Sequence, residues 1–423
     1  MHEHEWRRQI VNEMHLRRWP VLRAPMVVVQ QVRLVEDAQR DAEWAAWSAM
    51  PGGGEVRRAY RRHVSGTLAG GLAFTWERHS EASTQTVFAP GADTATPELG
   101  AALAWMASLP GATVRATRLV IVADDAAAQQ AMAHAAPDSP LDFAPEDMVS
   151  CHVAGPMRIW SDFRIGADGY GRMLVAANGL DGGDLTRAVQ RLQELGSYRN
   201  LALLGLPVAR AAWPRLDEAE ADLRRLGEAL TRKDVRDDDL MAQLSALSLA
   251  IAAVASATDY RMSATAAYAL LVEERLADLA PQPIPGFLSL GEFTQRRFLP
   301  AVRTCAAFSK REQQVAARAG QFTALLRARI ETRIENQNGA LLASLERSAT
   351  RQLRLQHLVE GLSVVGISYY ATALIGHVLE GGESLVHFDA RLAVGVMTPL
   401  IVLATWLGLR RARKRLLDPA ASA

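Results

Sequence analysis

The stretch "GLSVVGISYYATALIGHVL" (residues 361–379) decides much of the fold, because none of its nineteen residues carries a formal charge. A helix of that length spans about 28 Å, close to the ~30 Å hydrocarbon core of a bilayer. A second uncharged stretch, "LAVGVMTPLIVLATWLGL" (residues 392–409), follows after a short polar connection. Either stretch alone could be a core helix, but two in tandem predict a pair of transmembrane helices.

The charges around these stretches predict their orientation. Arginines precede the first stretch, the basic run "RRARKR" (residues 410–415) follows the second, and the connection carries mainly acidic residues. Because cytoplasmic flanks are enriched in Lys and Arg, both ends are expected in the cytoplasm and the connection outside. We therefore predict a transmembrane hairpin at residues 358–409 and a basic cytoplasmic tail at 410–423.

The N-terminus and the overall charge narrow the class of protein further. The start "MHEHEWRRQI" has no apolar signal segment, so the bulk of the chain is expected in the cytoplasm, anchored to the inner membrane. A net charge of +1 gives no case for a nucleic-acid partner, and we attribute the excess of Arg over Lys to genomic composition bias. Cys151 and Cys305 lack the spacing of a disulfide framework or a zinc site.

The first 182 residues show strand-like stretches that alternate with helical ones, which predicts an α+β domain with a mixed sheet. Residues 155–165 and 170–180 flank the turn "GADG" (residues 166–169), a pattern typical of a β-hairpin. No GxGxxG, P-loop or GxSxG motif is present in the sequence. We therefore predict no enzyme, no catalytic residue and no cofactor.

A helical region separates this domain from the membrane hairpin. We predict a helical layer at residues 183–285 and then one long stalk helix at 286–357. Breaks in the layer are expected at Leu206-Pro207, at Trp213-Pro214, at the charged stretch "TRKDVRDDD" (residues 231–239) and near Thr258-Asp259. Ser289, with Glu292 three residues later, forms a capping box that predicts the start of the stalk. Its apolar stripe is irregular but long, so a homo-oligomer is expected.

One polar cluster is a weak candidate for a metal site. "TWERHSE" places Glu77, His79 and Glu81 at alternate positions, which would put them on one face of a strand. Two carboxylates and an imidazole could bind a divalent metal or do acid/base work. The same pattern also fits an exposed polar strand face, with Phe74 and Trp76 turned inward.

Several motifs resemble those of a known family. "NEMHLRRWPVLRAP", "WERHSEASTQTVF", "WSDFRIGADGYGRMLV" and "NQNGALLASLERSATRQLRLQHLVEGLSVVGISYYATAL" are similar, in this order, to a bacterial family of uncharacterised membrane-anchored proteins. That family is defined by one domain of unknown function of about this length. The resemblance covers nearly the whole chain and implies a C-terminal anchor, but it implies no activity and no functional residue.

The predicted architecture also resembles the two-span magnesium and cobalt transporter family, although its Gly-Met-Asn signature is missing after the first span. That resemblance implies a pore around the first span and an acidic mouth that attracts cations. The candidate pore-facing residues are Ser363, Ser368, Tyr370, Thr372, His377, Glu380 and Glu383. The competing hypothesis is a membrane-anchored sensor, scaffold or interaction protein whose protein or small-ligand partner is unknown.

Overall fold

The structure is a computed structural model that describes residues 2–13, 19–48, 56–60, 62–137, 139–232, 234–382 and 390–417. The chain divides into two compact units, Met1–Thr323 and Ala324–Ala423. The strands are β1 (Met26–Leu34), β2 (Val56–Tyr60), β3 (His63–Thr67), β4 (Ala73–Arg78), β5 (Ala82–Pro90), β6 (Ala112–Val122), β7 (Val149–Val153), β8 (Met157–Ser161), β9 (Gly171–Ala176) and β10 (Gln282–Pro283). The helices are α1 (Arg7–Glu13), α2 (Arg40–Ser48), α3 (Pro97–Ala107), α4 (Asp125–Ala133), α5 (Gly182–Leu203), α6 (Gly205–Thr231), α7 (Asp237–Leu279), α8 (Leu290–Phe293), α9 (Leu299–Gly382) and α10 (Ala390–Leu417).

The strands form one mixed sheet in the first unit. Its order is β10-β7-β8-β9-β6-β1-β5-β4-β3-β2, and every neighbouring pair is antiparallel except β6 and β9, which run parallel. An N-terminal mixed sheet followed by long helices was predicted from the sequence, and this part of the prediction is confirmed.

Both faces of the sheet are covered, because side chains on a strand alternate between its two faces. Leu119 and Ile121 of β6 pack with Val189 and Leu192 of α5, in a core that α7 also enters. On the opposite face, a second core joins the sheet to side chains of α2, α3 and α4. The first unit therefore has three layers, with the sheet in the middle.

Two local predictions are confirmed. Strands β8 and β9 pair antiparallel around the "GADG" turn, in which the Gly169 N–H donates to the Gly166 carbonyl at 2.9 Å. Gly169 has φ +81°, a conformation that favours glycine. Ser289 caps α8, since its hydroxyl accepts from the Glu292 N–H at 3.2 Å while the Glu292 carboxylate accepts from the Ser289 N–H.

Two predicted helix breaks are wrong. Helix α7 continues through Thr258, whose hydroxyl donates to the Val254 carbonyl at 2.9 Å, and no Gly or Pro interrupts this part of the sequence. Helix α6 continues through Pro214, although proline has no backbone N–H and one helical hydrogen bond is therefore missing there. Packing of α7 against α5 and α6 explains why long continuous helices replace the predicted shorter ones.

The second unit contains the remainder of α9 and α10. Many of its large apolar side chains are exposed, among them Leu362, Leu374, Leu400 and Leu403. A Cβ built on Gly376 of α9 would lie 3.7 Å from Val394 Cγ2 of α10, so the two helices approach closely there.

Three helical segments of the described chain are long and apolar enough to cross a membrane: Asp237–Leu279, Leu290–Glu380 and Arg391–Ala412. The first of them is α7, which contributes Ala269, Val272 and Leu279 to the core of the first unit. Its apolar composition therefore has an explanation within the folded unit. The other two segments contain the stretches that were predicted as spans.

Candidate functional site

A cavity of about 250 Å³ lies in the first unit beside α5. Its walls come from β6, α5, the start of α8 and the residues around the β8–β9 turn. The lining combines apolar side chains with a concentration of arginines. These arginines are Arg115, Arg164, Arg172 and Arg199.

Arg115 reaches the cavity from β6, on the sheet face that α5 covers. It is only 7% exposed, and its two terminal nitrogens donate to neutral amides, Gln30 Oε1 at 2.8 Å and Gln193 Oε1 at 2.6 Å. Burial, reinforced by the positive charge of Arg199, lowers the pKa of Arg115 to about 9. The fold therefore holds a guanidinium where water cannot stabilise its charge.

Arg199 reaches the same cavity from α5. Its guanidinium lies over the ring of Phe163, 4.6 Å from the ring centroid, and Phe163 stacks on Phe293 at 4.2 Å. These aromatic contacts hold the side chain in place without neutralising it. Burial lowers the pKa of Arg199 to about 10.

The two remaining arginines of the cavity have carboxylate partners. Arg172 pairs with the buried Asp162 at 3.0 Å, and the exposed Arg164 pairs with Glu146 and Asp147. Among the residues that the structure describes, no carboxylate forms an ion pair with Arg115 or Arg199. The cavity thus carries an excess of positive charge, and it suits a ligand that brings negative charge.

A polar layer extends from the cavity under α5. Gln30 of β1 donates to Thr86 of β5 at 3.2 Å and accepts from Ser197 of α5 at 3.1 Å. Gln193 accepts from Thr117 as well as from Arg115, while its Nε2 atom is buried without a hydrogen-bond partner among the described residues. This layer fixes the acceptors that orient Arg115.

Comparison with protein families identifies the relatives of this fold. One family's sequence model, described as "Protein of unknown function (DUF3422)", matches residues 2–416. The chain belongs to the DUF3422 family. This confirms the family resemblance drawn from the motifs. No curated protein and no solved structure matches the chain.

In this DUF3422 protein, α5 approaches the Arg115 guanidinium without a side chain at Gly196. A Cβ built there would lie 2.5 Å from Nη2 and 2.7 Å from Cζ of Arg115. Since Arg115 is held by two buried amides, it cannot easily move aside. Gly196 is therefore part of how the cavity is built.

We expect Gly196→Ala to lower the stability of the protein by about 1–3 kcal/mol, because forced overpacking outweighs the gain of about 1 kcal/mol in helix propensity. The thermal midpoint of the purified chain in detergent measures this. Gly320→Ala is the matched control, because nothing lies within 4 Å of its Cβ position on α9. Equal effects of the two substitutions would contradict the steric argument.

The metal candidates of this DUF3422 protein lie apart from the cavity. Strand β4 ends at Arg78, so His79 and Glu81 follow the strand. Glu77 and His79 line one small cavity, which Glu81 does not line. Within the described ranges, no group of three or more His, Cys, Asp or Glu residues is placed to hold a metal ion. Phe74 and Trp76 of β4 are fully buried, as the alternative interpretation predicted.

Glu81 instead joins the sheet to α7. Its carboxylate accepts from both terminal nitrogens of Arg261, at 3.0 and 2.8 Å, and from the Tyr260 hydroxyl at 3.1 Å. The Glu81–Arg261 ion pair is strong, because it is bidentate and the Glu81 side chain is only 9% exposed.

We expect Arg261→Met to lower the free energy of unfolding by about 1.5–3 kcal/mol, because it removes hydrogen bonds to the charged and largely buried Glu81 carboxylate. Arg187→Met removes an exposed pair with Asp184 and is expected to cost less than about 1 kcal/mol. Thermal unfolding of the two variants provides the comparison. A smaller loss for Arg261→Met than for Arg187→Met would refute this assignment.

The predicted pore-facing residues divide between different faces of α9. Ser368 is 3% exposed, and Ser363 and Thr372 are half-buried, whereas Tyr370, His377 and Glu380 are exposed. Ser368 and Thr372 lie eight and four residues before Gly376, on the helix face that approaches α10. Glu383 lies outside the described residues. Ion transport stays a prediction.

Sequence reasoning missed the arginine cavity, because it attributed the arginines to composition bias. A usable signal was present in β6. Arg115, Leu119 and Ile121 are separated by even numbers of residues along β6, so strand alternation places them on the same face. Leu119 and Ile121 are buried under α5, and Arg115 therefore brings a charge to this inward face. Arg199 on α5 gave no comparable signal in the sequence.

Proposed function

We propose that this protein is a membrane-anchored binding protein, in which the C-terminal apolar helices form the anchor and the N-terminal unit binds a ligand. The observation that carries the proposal is the pair of arginines, Arg115 and Arg199, in a cavity without a carboxylate for either among the described residues. The proposal assigns no catalytic step and no cofactor to the protein.

Two features support the anchor. The segments Leu290–Glu380 and Arg391–Ala412 contain windows with mean hydropathies of 1.5 and 2.0, of which 6% and 0% are buried. Apolar surface that is left open in this way needs a membrane or another protein to cover it. The close approach at Gly376 fits two helices that pack through small residues within a bilayer, as a hairpin.

The flanking charges supply the orientation. With arginines before the first span and the run at residues 410–415 after the second, both the N-terminal unit and the tail are proposed to face the cytoplasm of a bacterial cell. The exposed leucines of α9 that precede the first span, such as Leu341 and Leu345, support self-association as part of the same proposal.

Cysteine labelling in intact cells tests the anchor and its orientation. The natural Cys151 and Cys305 are buried, so an introduced cysteine dominates the labelling. With a membrane-impermeant maleimide, we expect Ser384→Cys to react in intact cells. Ser80→Cys and Ala421→Cys are expected to react only after permeabilisation. Labelling of Ser80→Cys from outside, or recovery of the chain in the soluble fraction, would reject the proposed topology.

A further inference from the structure

We infer that the cavity beside α5 binds a small organic anion, whose carboxylate or phosphate group contacts Arg115 and Arg199. The inference rests on the proposed function, because it names the class of ligand for the same binding protein. It is independent of how the protein is anchored, however, since every residue involved belongs to the first unit.

The charge balance of the cavity is the first argument. Of the four arginines, Arg172 and Arg164 form ion pairs with carboxylates. Arg115 and Arg199 form none with a described residue. An unneutralised charge that is 7% exposed, as at Arg115, costs folding free energy, and a second guanidinium nearby adds repulsion. A bound anion would remove both penalties at once.

The donors available in the cavity are the second argument. Arg115 uses its terminal nitrogens on neutral amides, which hold its plane in one orientation. Arg199 is held by its contact with Phe163, and among the described residues no hydrogen-bond acceptor contacts its guanidinium N–H groups. A planar guanidinium of this kind matches the two oxygens of a carboxylate or phosphate.

The size and lining of the cavity limit the ligand. About 250 Å³ is many times the ~10–15 Å³ that one water molecule requires, and it is more than a bare oxyanion needs. Val114, Met173, Leu192 and Leu195 also line the cavity and make part of its wall apolar. We therefore expect a short organic body behind the anionic group.

A purely structural role is the competing explanation for these arginines. In that case Arg115 would only tie β6 to β1 and α5, and added anions would not stabilise the protein. The two explanations differ for Arg199, because no hydrogen bond from a described residue holds it. Its replacement should leave the fold intact in either case, but it should reduce ligand binding only if the cavity is an anion site.

The test uses the full chain in detergent at constant ionic strength, with succinate and glycerol 3-phosphate as probes and glycerol and inorganic phosphate as controls. Thermal midpoints and titration calorimetry are measured for wild type, Arg199→Met and Arg187→Met. We expect at least one organic anion to raise the midpoint and to bind more tightly than inorganic phosphate. Glycerol is expected to have no effect.

For Arg199→Met, we expect the midpoint without ligand to be unchanged or higher and the affinity for the organic anion to fall about tenfold or more. Arg187→Met, on the exposed side of α5, should bind like wild type. Absence of binding by both organic anions, or wild-type affinity in Arg199→Met, would overturn the inference. Neither result would alter the cysteine labelling pattern, which tests the anchor separately.

Discussion

Leu400→Arg is expected to remove most of the protein from the membrane. Leu400 is at the centre of the second apolar stretch, and it is 61% exposed, so the substitution disturbs little packing within the chain. An arginine at the centre of a transmembrane helix costs about 2.5–3.5 kcal/mol during insertion, which is on the order of a hundredfold in the equilibrium. The fraction of protein that remains in carbonate-washed membranes measures the effect.

Leu342→Arg is the matched control for this experiment. Leu342 is on α9 ahead of the predicted span and is 66% exposed, so it tests the same substitution on an exposed helix outside the membrane. We expect this variant to fractionate like wild type. If Leu400→Arg also stayed in the membrane fraction, insertion of α10 would not be required for anchoring, because the first apolar stretch on α9 would be sufficient to hold the chain there.

Trp76→Ala is expected to cost about 3–5 kcal/mol, the largest loss of folding stability among the substitutions considered. Trp76 is fully buried on β4, with ring centroids 5.8 Å from Trp47 and 6.0 Å from Trp44. Its indole N–H donates to Glu43 Oε1 at 3.0 Å. Removal of the ring therefore opens a cavity and takes one hydrogen-bond donor from the fully buried Glu43, which also contacts Arg78 at 3.4 Å.

Thermal unfolding separates these two contributions. Trp76→Phe retains most of the ring volume but lacks the N–H, so its loss relative to wild type reports the hydrogen bond to Glu43. Trp6→Ala, at an exposed tryptophan, is expected to change the midpoint little. A Trp76→Ala variant as stable as Trp6→Ala would show that β4 does not pack as described.

Sequence patterns predicted elements whose signals are local. The Gly166–Gly169 turn and the Ser289 cap depend on residues three apart, and both are present. The outcome at Glu81 could not be predicted in this way, because its partner Arg261 is 180 positions away on α7. Pairing across such a distance becomes visible only when the layers have been assembled.

Strands β7 and β10 and the place of Arg115 in the cavity were not predicted for the same reason, because they depend on residues that are distant in the sequence. Strands β7 and β10 are short, and β10 consists of two residues, Gln282 and Pro283, that pair with β7. Likewise, Arg115 looks like one of many arginines until Gln30 and Gln193 are brought to it from β1 and α5. The cavity is a product of tertiary structure.

The position of β10 bears on how the chain is made. Strand β7 is complete when residue 153 has been synthesised, but its outer edge pairs with residues 282–283 and with Leu288, which are added after α5, α6 and α7. Until then, a growing chain presents an open strand edge that can pair with other polypeptides. Because domains fold as they leave the ribosome, a chain stalled before Gln282 is expected to depend on chaperones and to aggregate without them.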